Sequence, residues 1–130
     1  MSEKKELVSK LPLSKFKKNF HLGTGFNSLK ETIEFIKYSI EYDFQNFLIM
    51  PPAYYKGNTE AGVFEFYSKI IKNIPKVKII LYNFEKLSGF KFEINFVKKL
   101  VDAFPKNIVG CKDSTYNLYE NLKIKDFLIF

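Results

Sequence analysis

Four short apolar runs recur about 30 residues apart along the chain, and segments with the apolar periodicity of helices separate them. The runs lie at 20–22, 46–50, 77–82 and 108–112, and a last apolar run at 127–130 ends the chain. Strands that alternate with helices pair in parallel, because the chain crosses back over the sheet between one strand and the next. The runs are nearly continuous in apolar residues, which is typical of strands buried on both faces. The sequence therefore predicts the α/β class, with a parallel sheet and covering helices.

The segments between the runs predict helices. Their apolar stripes lie at about 3–11, 29–42, 60–74 and 93–104, with a short helical stretch near 117–123 and a loop at 83–91. Ser28, with Glu31 three residues later, fits a capping box at the start of the second helix. The chain begins with a predicted helix and ends with a predicted strand. A complete α/β domain rarely has both of these boundaries. We therefore expect residues 1–130 to form a single incomplete domain.

The charge of the chain argues weakly for a nucleic-acid partner and its composition argues against one. The formal net charge is +7. All 21 cationic residues are lysines, however, and base recognition depends heavily on the bidentate fork of arginine. The lysines are also spread along the chain and form no single block. We therefore expect no nucleic-acid partner.

The single cysteine, the single histidine and the hydropathy of the chain limit which other classes of site we expect. Cys111 is the single cysteine, so no intrachain disulfide can form, and its apolar strand predicts a core residue. His21 has no cysteine or histidine companion at ligand spacing, and we expect no metal site and no cofactor. No apolar run approaches the length of a membrane span, and the N-terminus is too polar for a signal peptide. The sequence predicts a cytoplasmic protein without a membrane partner.

Lys112 ends the fourth apolar run and is the candidate catalytic nucleophile. Side chains alternate along a strand, so Ile108, Gly110 and Lys112 are expected on one face, and Val109 and Cys111 on the other. In folds built from parallel strands, catalytic groups collect at the carboxyl ends of the strands. An amine held there against apolar residues loses hydration, which favours the neutral nucleophile that attacks a carbonyl. The alternative is an ordinary solvated lysine, which composition alone favours because the chain has 21 lysines.

Four segments, each at the end of a predicted strand, carry a family resemblance. They are residues 23–28 (Gly-Thr-Gly-Phe-Asn-Ser), 51–56 (Pro-Pro-Ala-Tyr-Tyr-Lys), 81–83 (Leu-Tyr-Asn) and 109–114 (Val-Gly-Cys-Lys-Asp-Ser). The first forms a glycine turn, but Ser28 stands where a phosphate-cradling loop needs a third glycine. Together the segments resemble the dihydrodipicolinate synthase / N-acetylneuraminate lyase family. The resemblance implies a (β/α)₈ TIM barrel, of which this chain holds only part, about strands three to seven.

The resemblance also implies roles for individual residues. Lys112 matches the lysine that forms a Schiff base with pyruvate or another 2-keto acid, which then joins or releases an aldehyde as in a class I aldolase. Tyr82 matches the catalytic tyrosine that relays a proton near the imine carbon. Tyr54 matches a tyrosine that reaches across a tight dimer interface and is assigned, with Lys112 and Tyr82, to the catalytic residues. Tyr55 fits this match nearly as well because the loop spacing differs by one residue. Tyr55 and Gly110 are assigned to substrate binding.

Simpler interpretations stay open beside these roles. Tyr82 could be a half-buried tyrosine at a strand end, and Tyr54 and Tyr55 could be loop aromatics packed on a neighbouring helix. The whole chain could be a truncated, non-catalytic fragment that serves as an interaction module. A flavodoxin-like binding domain is a weaker alternative, because the glycine turn after the first strand is a poor phosphate loop.

The chain also departs from the family pattern. The family's Gly-Thr-Thr-Gly-Glu motif, which holds the keto-acid carboxylate, would precede Met1, and the eighth strand is absent. Leu87 stands where dihydrodipicolinate synthases carry an arginine, which argues for another branch of the family. Half a barrel has two sheet edges and an open inner face, on which Tyr82, Ile80 and Ile108 are expected. We therefore expect the chain to form a homo-oligomer or to bind a companion barrel half.

Overall fold

The helices and strands follow the predicted order. A computed structural model describes residues 1–11, 19–53, 57–115 and 122–130. The strands are β1 (His21–Gly23), β2 (Asn46–Ile49), β3 (Lys78–Asn83), β4 (Ile108–Asp113) and β5 (Leu128–Ile129). The helices are α1 (Ser2–Lys10), α2 (Leu29–Glu41), α3 (Glu60–Asn73), α4 (Glu85–Ser88) and α5 (Ile94–Ala103). The predicted bounds are confirmed to within one residue, except that the short helix α4 occupies part of the predicted loop. The stretch predicted as helical near 117–123 lies mostly outside the described residues.

All five strands are parallel and stand in the sheet in chain order, from β1 to β5. Each neighbouring pair up to β4 is joined by a segment that contains at least one helix. This arrangement confirms the predicted parallel α/β sheet. It also brings the carboxyl ends of all five strands to one edge of the sheet, which we call the carboxyl edge.

A bulge in β4 corrects one predicted face. Ile79 pairs with Ile108, but Ile80 pairs with Gly110, so Val109 is an extra residue in the ladder. The extra residue turns Ile108 to the same side as Ile79, and both are buried in the hydrophobic core. The expectation that Ile108 lies on the inner face with Gly110 is therefore wrong, because strict alternation does not continue through a bulge.

The core lies between the sheet and its covering helices. Its largest fully buried side chains are mostly aromatic and come from strands, helices and loops: Phe44, Phe47, Tyr67, Phe92 and Phe96. The Tyr67 hydroxyl donates to the Ile49 carbonyl oxygen at 2.8 Å, which satisfies the one polar atom of this side chain. The predicted cap of α2 is present, since the Glu31 N–H donates to Ser28 Oγ at 3.4 Å. Cys111 is 1% exposed, as the sequence predicts for a core cysteine.

The other face of the sheet is concave and open. Although β1 and β5 are the outermost strands of the sheet, the rings of His21 and Phe130 contact each other with centroids 5.1 Å apart. Two rings that four strand spacings separate can meet only if the sheet curves strongly, as in a barrel wall. Leu128 and Phe130 are 49% and 44% exposed. Within the described residues this concave face is therefore open to solvent at Leu128 and Phe130, whereas Ile80, on the same side of the sheet, is buried.

None of the helices in the described part of the chain is long and apolar enough to cross a membrane.

Candidate active site

Tyr82 and Lys112, two of the three residues predicted to be catalytic, lie side by side at the carboxyl edge. They pair in register between β3 and β4, one residue before each strand ends. Lys112 Nζ donates to the Tyr82 hydroxyl oxygen at 3.3 Å and lies 4.4 Å from the centroid of the Tyr82 ring. Both side chains lie on the concave face, on the same side as Ile80, because β3 side chains alternate and paired residues share a side. The pair thus consists of an amine and a phenol in direct contact.

The surroundings of Tyr82 favour its ionised form. A hydrogen bond from the Ser114 side chain is the largest cause that lowers the pKa of the Tyr82 phenol, and the hydrogen bond and charge of Lys112 lower it further. Partial burial opposes both effects. A tyrosine with a lowered pKa gives up and takes back a proton more readily near neutral pH, which is what a proton relay requires.

Ser114 is the residue that sequence reasoning missed. It belongs to the segment 109–114 that carried the resemblance, but no role was assigned to it. Ser114 lies two residues after Lys112, and residues two apart in a strand face the same side. This spacing is the sequence signal from which a place for Ser114 beside the pair could have been predicted.

The residues that follow Tyr82 and Lys112 are buried and polar. Asn83 is 1% exposed and Asp113 is 3% exposed, and they pair in register at the ends of β3 and β4. Asn83 Nδ2 donates to Asp113 Oδ1 at 2.9 Å. This hydrogen bond joins the two strand ends immediately behind the amine and the phenol.

Gly110, assigned above to substrate binding, has a packing reason to be glycine. It pairs with Leu128 of β5, and a Cβ on Gly110 would lie 2.7 Å from the Leu128 carbonyl oxygen and 2.9 Å from its Cβ. Only a residue without a side chain allows this approach of β5 to β4. A role of Gly110 toward substrate stays a prediction.

Tyr54 and Tyr55 lie outside the described residues. The chain on both sides of them is held at the carboxyl edge. The Ala53 N–H donates to Asn27 Oδ1 at 2.8 Å, and Asn58 Nδ2 donates to the Pro52 carbonyl oxygen at 2.6 Å. Asn27 thereby ties the turn after β1 to the segment after β2. The structure does not test the roles predicted for the two tyrosines.

The turn after β1 is the tight glycine turn that the sequence predicts. Gly25 has a φ of +61°, a conformation that favours glycine. Lys4 of α1 donates to the carbonyl oxygen of Thr24, and its Nζ lies 4.3 Å from the centroid of the Phe26 ring. Burial lowers the pKa of Lys4. These contacts hold α1 against the turn.

The described residues offer no metal-based alternative at this edge. No group of three or more His, Cys, Asp or Glu side chains in residues 1–11, 19–53, 57–115 and 122–130 could hold a metal ion. A cavity of about 410 Å³, lined in part by Ile40, Ile74 and Lys76, lies where α2 and α3 end, near the amino ends of the strands. It is therefore remote from Tyr82 and Lys112.

The chain is similar in sequence to enzymes about twice its length. Residues 2–128 match the profile of the Dihydrodipicolinate synthetase family. A 4-hydroxy-tetrahydrodipicolinate synthase from Hydrogenobaculum sp. is 31% identical over 98% of this chain and 45% of its own. A 2-dehydro-3-deoxy-D-gluconate/2-dehydro-3-deoxy-phosphogluconate aldolase from Picrophilus torridus is 28% identical over 100% of this chain and 49% of its own. The chain thus spans about half the length of the relatives it matches.

The structural comparison agrees with the sequence comparison. A 2-keto 3-deoxygluconate aldolase from Picrophilus torridus superposes with a TM-score of 0.84 and 26% identity, over 99% of this chain and 47% of that one. This likeness confirms that the curved sheet is part of a (β/α)₈ barrel. The match over residues 2–128 and the fold together show that the chain belongs to the dihydrodipicolinate synthetase family, as its four strand-end segments predict.

Proposed function

We propose that this chain carries the lysine-bearing part of a carbon–carbon lyase or aldolase site, in which Lys112 forms a Schiff base with pyruvate or another 2-keto acid. The observation that carries the proposal is the 3.3 Å contact between Lys112 Nζ and the Tyr82 hydroxyl at the carboxyl edge. Active sites of (β/α)₈ barrels lie at this edge. The contact favours a catalytic role over the alternative of a non-catalytic interaction module, because an interaction module does not require it.

The proposed reaction begins with attack of the neutral Lys112 amine on the keto carbon. The carbinolamine that results loses water and becomes a protonated imine, which draws electrons from the adjacent carbon. Loss of a proton from that carbon gives an enamine, whose carbon attacks an aldehyde; cleavage runs the same steps in reverse. Release of the product by water restores the amine.

Tyr82 supplies the proton transfers of this scheme. Its hydroxyl touches the amine nitrogen, so it can deliver a proton to the oxygen that leaves as water and accept one when the imine is hydrolysed. The side chain of Ser114 lowers the pKa of the phenol, which favours this proton transfer. Tyr54 remains part of the proposal as a catalytic residue that reaches across a dimer contact, as the resemblance implies. Tyr55 and Gly110 remain assigned to substrate binding.

The carbonyl partner is proposed to be an aldehyde other than the one used in dihydrodipicolinate synthesis. Leu87 lies on α4, directly after β3, and is 54% exposed. An apolar side chain there cannot form the ion pair that an arginine at this position would offer to a carboxylate. The Picrophilus torridus relative, named as an aldolase for 2-dehydro-3-deoxy sugar acids, gives the substrate class to test first.

The site needs a partner or further chain to be complete. The concave face is open, and β1 and β5 are the outer strands of the described sheet, where a barrel has no edges. We propose that residues 1–130 form one incomplete barrel domain, completed by a companion barrel half or within a homo-oligomer, in the cytoplasm and without nucleic acid.

Exchange of the methyl hydrogens of pyruvate for deuterium tests this function. Enamine formation labels the methyl group in D₂O, and proton NMR follows the loss of signal. With the amino-terminal half of a relative's barrel supplied, we expect exchange that Lys112→Ala abolishes and that Tyr82→Phe slows by about 100-fold. Lys98→Ala, on the exposed side of α5, is the matched control and should exchange at the full rate. Exchange that survives Lys112→Ala would exclude the Schiff base on this residue.

A further inference from the structure

Two buried polar side chains stand directly behind the amine and the phenol. Asn83 follows Tyr82 in β3, and Asp113 follows Lys112 in β4. Since successive strand residues face opposite sides, Asn83 and Asp113 point away from the concave face and into the interior. Both are almost fully buried, at 1% and 3% exposed. The proposed reaction assigns no role to either.

Thr115 completes a network with this pair. Its backbone N–H and its Oγ1 both donate to Asp113 Oδ1, at 2.9 and 2.6 Å. Asn83 Nδ2 donates to the same oxygen at 2.9 Å and lies 3.3 Å from Thr115 Oγ1. One carboxylate oxygen thus receives three hydrogen bonds. Asn83, Asp113 and Thr115 are called the clasp below.

The clasp is joined to the rest of the site through the backbone. The Ser114 N–H donates to the carbonyl oxygen of Asn83 at 2.9 Å. The Phe92 N–H donates to Asn83 Oδ1 at 3.2 Å, and Phe92 is itself fully buried in the aromatic core. The clasp therefore fixes the end of β3, the end of β4 and the residues after β4 to one another and to the core.

A buried carboxylate is an expensive way to join two strand ends. Taking a charge out of water costs several kcal/mol unless hydrogen bonds compensate, and a well-packed apolar pair often gives equal or greater stability. The benefit of hydrogen bonds is direction, because they hold groups at defined angles and distances. Such precision matters where a shift of about 1 Å in a reacting group costs about 100-fold in rate.

We propose that the clasp is a positioning device that holds Lys112 Nζ and the Tyr82 hydroxyl in contact by fixing the ends of β3 and β4 from the buried side. The inference rests on the proposed function for its catalytic meaning, but the positioning itself is a property of the folded chain. Asn83, Asp113 and Thr115 are positioning residues, since each acts in this proposal through the ends of β3 and β4, which carry the phenol and the amine.

Thr115→Val tests the clasp with little change in shape. Valine removes the hydroxyl that donates to Asp113 and keeps the volume of the side chain, while Thr115→Ser keeps the hydroxyl and serves as the matched control. The first readout is the titration of Tyr82 in the 130-residue chain, which NMR measures on tyrosine labelled with ¹³C at Cζ. The Tyr82→Phe variant assigns the signal of this residue. Lys112 and Ser114 are the groups that hold this titration low.

We expect the pKa of Tyr82 to rise toward its ordinary value in Thr115→Val and to stay low in Thr115→Ser. With the complementary barrel half present, borohydride trapping of pyruvate should slow by about 10- to 100-fold in Thr115→Val and return with serine. If valine prevents folding, Thr115→Ala removes the same hydroxyl and carries the same expectations.

An unchanged Tyr82 titration in a folded Thr115→Val chain would overturn the proposal, as would a serine variant that behaves like valine. The titration requires no substrate. The pKa of Tyr82 could therefore rise in Thr115→Val while no pyruvate adduct is trapped, even in the unsubstituted protein. That result would contradict the Schiff-base function and still support the clasp.

Discussion

At the scale of single residues, the side of β4 that a residue faces decides whether its side chain lies in the core or on the concave face. Cys111 is 1% exposed, and burial, with the charge of Asp113, raises the pKa of its thiol to about 12. Lys112, the next residue, lies on the open concave face in contact with Tyr82. The two neighbouring side chains thus have different surroundings because successive side chains of a strand face opposite sides.

The thiol of Cys111 should make stability depend on pH in the alkaline range. Its pKa is about 12 in the folded chain and 9.0 at its ordinary value, so the unfolded chain loses this proton first as the pH rises. The contribution of the protonated thiol to the free energy of unfolding is complete below pH 9. It is lost between about pH 9 and 12, at about 1.4 kcal/mol per pH unit. Urea unfolding of the unsubstituted chain and of Cys111→Ala across this range measures it.

The difference between the two chains reports on Cys111 and on Tyr67, whose pKa the charge of Cys111 also raises. We expect the stability of the unsubstituted chain to fall toward that of Cys111→Ala as the pH rises. Parallel curves from pH 8 to pH 11 would show that the thiol is not buried as described.

At the scale of elements, the approach of β5 to β4 depends on one glycine. We expect Gly110→Ala to destabilise the chain by about 1–3 kcal/mol, because the new Cβ would lie 2.7 Å from the Leu128 carbonyl oxygen. Gly23→Ala in β1 is the matched control, since a Cβ there meets nothing within 4 Å. Urea denaturation of both variants makes the comparison, and equal midpoints would contradict the described contact of β5.

The bounds of the elements could be predicted from the sequence, whereas the pairing between them could not. Apolar periodicity and the cap at Ser28 placed the helices and strands other than α4 to within one residue. The bulge at Val109 depends on how β4 meets β3, and this register is a property of two strands together. Ile108 was therefore assigned to the wrong face.

The same distinction applies to the site. That Lys112 and Tyr82 lie close together could be predicted because each lies near the end of a strand, and parallel topology brings strand ends to one edge. Asn83 and Asp113 also end strands, but only the three-dimensional network shows that they bond to each other and to Thr115. The alternation of side chains along a strand predicts Ser114 on the same side as Lys112, but the sequence interpretation assigned it no role.

At the scale of the whole molecule, the open concave face should drive association. Leu128 and Phe130 expose apolar surface there, beside the unpaired edge of the described sheet. We expect the unsubstituted chain to elute from a sizing column as oligomers or aggregates. Phe130→Ser should reduce this association, and Leu7→Ser, which changes an exposed leucine of α1 on the convex side, should not. A sharp monomer peak from the unsubstituted chain would contradict the prediction.

The proposed function depends most directly on an imine between the amine of Lys112 and a 2-keto acid. The most direct measurement is the intact mass of the protein after incubation with pyruvate and borohydride, with and without a supplied amino-terminal barrel half. We expect a single reduced pyruvate adduct that Lys112→Ala eliminates and Lys98→Ala leaves in place. An adduct that persists in Lys112→Ala, or no adduct even when the complementary half is supplied, would contradict the proposed function.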